Sequence, residues 1–433
     1  MKKIDRIYEL GIKVFPICRS ITGEGNRKTL RIFKKFCNKL KIKEIKSGSK
    51  VYDWNIPQEW NVKDAYVLDK YNNKIIDFKK SNLHLVNYSK PVNKILNKKD
   101  LLKKIFTNKL RTNSIPYVTS YYKKTWGFCI SENEKKKIIK KYKPKDKFKI
   151  LIDSKFKKKG SLTYGEILIP GKSKKEIFLS TYICHPSMAN NELSGPMMSL
   201  LVCDYFKKRK NNLSIRAIFV PETIGSIAYL SKNLTKMKKN FYCGFNLTCI
   251  GDERKYSYLP SKYGNALSDR VIVRSFKDMK LKFKKYSFLE RGSDERQYNS
   301  PGVDLPVACI MRSKFGTYPE YHTSDDNFKL VTKKGLHQSF KVVKNCLDIL
   351  MKNIIPKAII KCEPQLSKRN LYNSLSNLQS KYSENQELCN FLQYADGTND
   401  LLKISQYINL SFKKTLNVYK TLKKHKLVKS INK

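Results

Sequence analysis

The chain has 433 residues, with 89 Lys and Arg against 36 Asp and Glu, a formal balance of +53 with its five His neutral. That length suits two or three domains, and 40% apolar with 12% aromatic residues can bury an ordinary core, which excludes a disordered chain. No stretch approaches the roughly 18 to 20 apolar residues that cross a bilayer, the best being 197–206 with Asp204 inside it, so a spanning helix is excluded.

Residues 1–45 carry apolar positions at helical spacing (Ile4, Ile7, Ile12; then Leu30, Phe33, Leu40) around a Gly-containing loop at 19–25, which predicts two helices. Asp5 and Glu9 inside the first of them speak against a signal peptide, so the expected location is the cytoplasm. Residues 46–130 change to short alternating stretches between turn formers, a small β-rich module. From 131 to 355 strand and helix signals alternate, with strands expected over 148–152, 162–169, 176–184, 215–220, 242–250 and 305–311, and helices over 192–208, 226–239, 265–277 and 333–352. Such alternation of apolar strands with helices predicts an α/β sandwich on a parallel or mixed sheet, whose ligands gather at strand carboxyl ends. Residues 356–433 read as helix, short turn and longer basic helix, the outline of a winged-helix module. Winged helices also serve as protein contacts, and the Lys-rich composition suits a solvated surface, so nucleic acid is a partner considered but not favoured. Eleven cysteines without a C-x-x-C pair suit reduced thiols better than a disulfide framework or a cysteine zinc site. Oligomeric state is left open.

Three clusters fall at expected strand ends. His185 closes one strand, with Asn191 and Glu192 opening the next helix; Glu222 directly follows another strand; and His322 sits in a run with Asp325 and Asp326. An imidazole at a strand end, with side-chain oxygens six or seven residues later, can converge on one cation. His84, His337 and His425 lack such company and read as structural or surface residues.

With segments 19–25, 60–65, 83–92, 115–129, 185–195, 221–226, 258–264, 292–306 and 321–324, the chain resembles the aminopeptidase-like proteins of surface-polysaccharide gene clusters. The central domain of that family is similar to the co-catalytic zinc aminopeptidases. The resemblance implies a zinc-aminopeptidase-like three-layer α/β sandwich with a mixed sheet, a small β domain inserted at 46–130 and a C-terminal winged helix. It implies His185 and His322 as metal ligands, Glu222 as ligand or base, and Asn191 where a bridging Asp is expected, with Glu192 beside it. Residues 292–295 are similar to the segment that precedes the substrate pocket. The sequence departs from the pattern at Asn191, at Thr223 beside Glu222, and at Thr248.

Two zinc ions close together need several carboxylates, and an amide or hydroxyl brings no net charge, so one ion is favoured over two. One zinc on His185, His322 and a carboxylate from Glu222 or Glu192, with Asn191 alongside, would match a three-ligand catalytic site, and whichever carboxylate is spared would act as base. Asp294, Asp252, Asp325 and Arg291 are candidates for orienting the ligands or meeting substrate. Two readings follow: a zinc-dependent amide hydrolase of aminopeptidase type, acting on a peptide-like and glycan-linked substrate, or a catalytically impaired, at most weakly metal-binding relative whose α/β domain binds a sugar-linked or peptide ligand and whose winged helix binds nucleic acid or a partner.

Overall fold

The eight strands of the main sheet are β1 (Lys41–Lys46), β2 (Ser161–Ile169), β3 (Ser173–Tyr182), β4 (Leu213–Val220), β5 (Phe241–Leu247), β6 (Tyr256–Leu259), β7 (Phe283–Lys285) and β8 (Val307–Met311). Their order is β1-β2-β4-β3-β5-β8-β6-β7. Strands β4, β3, β5 and β8 run parallel, while β2 is antiparallel to β4 and β6 to β8. Every residue of β8 is buried, as are the last seven of β3 and of β4, the near-continuous apolar runs expected where helices cover both faces. The coordinates are a computed structural model that describes residues 2–371 and 384–431. The chain divides into one unit of Met1–Ser268 with Phe283–Lys341 and a second of Asp269–Lys282 with Val342–Lys433.

The helix Ser194–Phe206 buries eleven of its thirteen residues against this sheet. Its approach is fixed at Gly195, where an added Cβ would lie 2.1 Å from the Leu247 carbonyl oxygen and 2.3 Å from Thr181 Oγ1. Only glycine lets the helix start press against the ends of β3 and β5. Just before it, Ala189–Leu193 form a wide π-helical turn, a local form that recurs at functional sites.

Two elements differ from expectation. The strand expected over 148–152 runs over Lys147–Lys157 and leaves the main sheet for a small four-stranded antiparallel one, with Glu59–Leu68, Lys74–Asp77 and Val92–Asn97. Its burial alternates along the strand, the signature of a sheet covered on one face, so it pairs with half-exposed partners rather than joining the buried parallel core. The N-terminal segment, read as helices alone (Lys2–Val14 and Glu24–Phe36), also supplies edge strand β1.

In the second unit, helices Glu384–Tyr394, Leu401–Tyr407 and Phe412–Lys424 accompany an antiparallel pair, Ile355–Ala358 with Val428–Ile431. The side chains of Asp400 and Ser411 accept the amides of Lys403 and Lys414, capping the two helices on either side of the short turn. The polar stretch that precedes these helices lies partly outside the described residues. Among the described residues, no helix is long and apolar enough to cross a membrane.

Candidate metal centre

The carboxyl ends of the parallel strands converge. His185 follows β3 by three residues, Glu222 follows β4 by two, Thr248 follows β5 directly, and the loop after β8 carries His322. The His185 and His322 rings lie 5.2 Å apart, with the Tyr117 ring 5.0 and 5.1 Å from them. Tyr321 stacks on His322 at 3.9 Å and 12°. The Tyr117 amide donates to the His322 carbonyl oxygen (2.8 Å) and the Ser324 amide to that of Ile115 (2.8 Å), so residues 115–117 hold the His322 loop in place as a strand would. His185 Nε2 lies 3.9 Å from Glu222 Oε2, and His322 Nε2 is buried with no hydrogen-bond partner. The Thr223 turn is strained, with φ 64° and ψ −78°, a conformation that a β-branched residue rarely enters, and His322 sits at φ 54° in the left-handed region. The Asp294 carboxylate holds the Thr223 turn by accepting its amide and the Ser226 hydroxyl, both at 2.8 Å, while Arg296 donates to Thr223 Oγ1 at 2.6 Å.

His185, 4% exposed, donates through Nδ1 to Glu192 Oε2 at 2.9 Å. Behind Glu192 stands Arg19, fully buried, with Nε 3.5 Å from Glu192 Oε1 and 3.0 Å from the His185 carbonyl oxygen, and Nη1 on the Val14 carbonyl oxygen. Burial, with Arg19 adding to it, holds His185 down to about 3. Burial and the neighbouring His185 likewise hold His322 well below the usual imidazole range. Both rings are therefore neutral near pH 7, the form in which imidazole ligates a metal. Burial pushes Glu192 up to about 8 while Arg19 draws it down; the ionised carboxylate is the form that answers Arg19 and accepts the imidazole N–H. Burial first, and then the charge of Asp294, hold Glu222 above the ordinary carboxylate range.

Across the site the groups are neutral and hydrogen-bonded to one another, although Asn191 Nδ2 is buried without a partner. The Tyr182 hydroxyl donates to Asn191 Oδ1 at 2.9 Å and shares a 2.6 Å hydrogen bond with Thr248 Oγ1, which lies 3.1 Å from the Asn191 carbonyl oxygen. The π-helical turn is organised by Asp326, which accepts the amides of Ala189, Asn190 and Asn191 and the Tyr318 hydroxyl.

The structure brings together His185, His322 and Glu222 and separates the other candidates. Glu192 lies on the Nδ1 side of His185, locked between imidazole and guanidinium, so it orients the His185 ring and does not reach its Nε2 face. Asn191 spends its amide oxygen on Tyr182. Asp252 accepts from Asn190 Nδ2, the Arg254 amide and the Ser313 amide, and touches neither histidine. Asp325 is held by Arg111 and Ser114, so the ordering role falls to its neighbour Asp326. Arg291 is exposed, with its guanidinium 5.2 Å from the Phe288 ring. Asp294 acts on the Glu222–Thr223 turn and not on the histidines. Sequence alone assigns no role to Arg19, Tyr117 or Tyr321, because a lone Arg among 89 cations, or a Tyr among 26, has no pattern until the chain folds.

Zinc chemistry fits one side of this site only. Two imidazoles on one tetrahedral ion have ring centres about 5 Å apart, given metal–nitrogen bonds of about 2 Å. The observed 5.2 Å agrees, and the partnerless His322 Nε2 together with the free Nε2 face of His185 supply the donors. Among the described residues, the one tight grouping of ligand-type atoms is Cys184, His185 and Glu192, within 4.8 Å of one another. That grouping lies on the Nδ1 side, where Arg19 already supplies the positive charge and burial pushes the Cys184 thiol well up, so it is no place for a cation. The set of His185, His322 and Glu222 is more open, and Glu222, its side chain 23% exposed, has room to close it.

A mixed α/β sheet with imidazoles and a carboxylate at its carboxyl edge, followed by a winged helix, defines an aminopeptidase-like protein with an added C-terminal module. A family model described as a domain of unknown function (DUF4910) matches residues 8–353, and a winged helix-turn-helix model matches 353–430. A curated protein of Clostridium acetobutylicum, named a polysaccharide biosynthesis protein with an aminopeptidase-like domain, is 40% identical over 413 residues, 94% of this chain and 92% of that one. A crystal structure from the same organism, described as that of a peptidase, matches with a TM-score of 0.90 at 38% identity over 99% of this chain and 97% of its own. The zinc aminopeptidase of Bacillus subtilis shares the fold, with a TM-score of 0.58 at 14% identity over 80% of this chain and 93% of its own. The chain belongs to the family of aminopeptidase-like proteins that combine the DUF4910 domain with a winged helix-turn-helix.

Proposed function

We propose that the protein is a zinc-dependent amide hydrolase of aminopeptidase type, working on a peptide-like, glycan-linked substrate in polysaccharide metabolism. The observation that carries this reading is the meeting of two neutral imidazoles, one of them with a buried partnerless nitrogen, beside the Glu222 carboxylate. When bound, a zinc ion with three protein donors and an open position polarises a carbonyl and lowers the pKa of its water to about 7. His185, His322 and Glu222 are the donors. Glu192 and Arg19 keep the proton of His185 on Nδ1, so that Nε2 presents its lone pair. Arg296, fastened to Thr223, brings positive charge beside Glu222, where negative charge develops on a carbonyl oxygen under attack. A cytoplasmic place belongs to the same reading, and the eleven cysteines, all free, support it.

Metal analysis of protein purified without added zinc tests it, alongside hydrolysis of aminoacyl anilides with and without chelator. About one equivalent of zinc, lost together with hydrolysis in His185→Ala, is the expected result. The neutral network of Tyr182, Asn191 and Thr248 favours a second reading, in which the scaffold binds an amide-bearing or glycan ligand without turning it over. With Glu222 as a ligand and Glu192 behind His185, no carboxylate remains to act as base. Absence of zinc in a normally folded protein would establish that reading and end the first.

A further inference from the structure

Apart from the candidate metal centre, a cavity of about 480 Å³ opens beside β6 and β7 and the loop after β8. Among the described residues its lining includes five cationic side chains, Arg254, Lys255, Lys284, Arg312 and Lys314, and no carboxylate. Three of them have ordinary outlets: Arg254 pairs with Glu320 at 3.0 Å, and Lys255 and Lys284 are exposed to water. Arg312 and Lys314 do not, being only 4% and 8% exposed. The Arg312 guanidinium lies 4.0 Å from the Tyr256 ring centre and donates from Nη2 to Gln338, but its Nε and Nη1 are buried with no partner. Lys314 Nζ has the Phe315 carbonyl oxygen at 3.2 Å and no anion within ion-pair range among the described residues. Between them, the Ser313 hydroxyl is also buried and partnerless. Glu253, the carboxylate that feels the Arg312 charge, is held outside by Lys334 and Thr332.

Two buried cations that make no ion pair among the described residues are costly, the nearby Asp252 being taken up by the amides of Arg254 and Ser313 and by Asn190 Nδ2, and water in the cavity could satisfy N–H groups but not charge. An anion answers both needs at once. A planar guanidinium, an ammonium and a hydroxyl on consecutive residues together match the several acceptor oxygens of a phosphoryl group. The Tyr286 and Tyr318 rings line the remaining wall.

We infer that this cavity is a binding site for a small phosphate- or diphosphate-bearing molecule, with its anionic group on Arg312, Ser313 and Lys314. The site stands independently of the hydrolase reading. It adjoins the frame of the metal centre through Tyr318, which lines the cavity and donates to Asp326, the carboxylate that gathers the amides of the 189–193 turn.

Equilibrium dialysis of the full chain against inorganic phosphate and pyrophosphate at physiological ionic strength tests the inference. One saturable equivalent is expected, weakened about tenfold or more by Arg312→Gln and by Lys314→Gln, and unchanged by Lys34→Gln with Lys39→Gln at two exposed lysines. Tighter binding of pyrophosphate than of phosphate identifies a diphosphate ligand, and equal binding a monophosphate. Phosphate should raise the melting temperature of the wild type and not that of either variant, and the ligand-free variants should melt no lower than the wild type because each removes an unanswered buried charge. If Arg312→Gln does not fold, Lys314→Gln alone decides. Binding that is unsaturable, or that falls equally in the Lys34/Lys39 variant, would reduce the cavity to part of a generally basic surface and overturn the inference.

Discussion

The two sides of the candidate centre are built from the same strand ends but in different chemical currencies. On one side His185, His322 and Glu222 present two neutral nitrogens and a carboxylate; on the other Tyr182, Asn191 and Thr248 close a hydrogen-bonded ring that carries no charge. Position is shared and charge is not. A divalent ion out of water needs ligands that offset its charge as well as dipoles that coordinate it, so the same scaffold can accept an ion at one side and exclude it at the other.

The strongest way to break this comparison is to make the neutral side acidic. Asn191→Asp with Thr248→Asp should raise bound zinc from about one equivalent to about two by metal analysis, and should lower the melting temperature in chelator because two carboxylates then repel in a buried site. A count that stays at one would mean that geometry, and not charge, limits the site. Removing the support of the metal side comes next. Arg19→Met leaves Glu192 buried without its counter-charge and should cost about 3–5 kcal/mol in urea unfolding, whereas an exposed Arg would cost under about 1 kcal/mol. Glu192→Gln keeps the shape but weakens the hold on His185 Nδ1 and leaves Arg19 buried without its counter-charge; zinc affinity measured against a competing chelator should fall about 10- to 100-fold, with a loss in urea unfolding comparable to that of Arg19→Met. The smallest effect is in pH. Because Glu222 is held above its unfolded value, its stabilising contribution is complete below that value, near 4.5, and is lost as pH rises through the folded one. His185 acts in the opposite sense: held down to about 3, it costs stability as pH falls from about 6.5, so measurements between about pH 6.5 and 8, below the range where unfolded thiols ionise, isolate the carboxylates. Over that range the melting temperature of the chelator-treated protein should decline, and Glu222→Gln should flatten the decline.

Much of the site was legible before folding. His185 and Glu222 each stand just past an apolar strand, and in a parallel sheet strand ends share one edge; His322 lies in a loop eleven residues past β8, and it was the family resemblance that joined it to the other two. Glu192 was misread for a reason that periodicity cannot reveal. It follows His185 by seven residues, and only the wide turn at 189–193 decides that it faces Nδ1 and Arg19 instead of Nε2. Asp325 and Asp326 are adjacent and chemically alike, yet one pairs with Arg111 at a partly exposed position while the other ties down three backbone amides.

From the linear chain came the α/β alternation and the winged-helix outline, because each depends on local spacing, while the charge deficit at Asn191 and Thr248 came from setting the chain beside the zinc aminopeptidases it resembles. The fold alone decided that the strand at Lys147–Lys157 joins the small sheet, that Arg19 stands behind Glu192 across more than 170 residues of chain, and that Arg312 and Lys314 lie buried without an anion. Those are contacts between segments distant in sequence, fixed by which surfaces the packed core leaves facing each other.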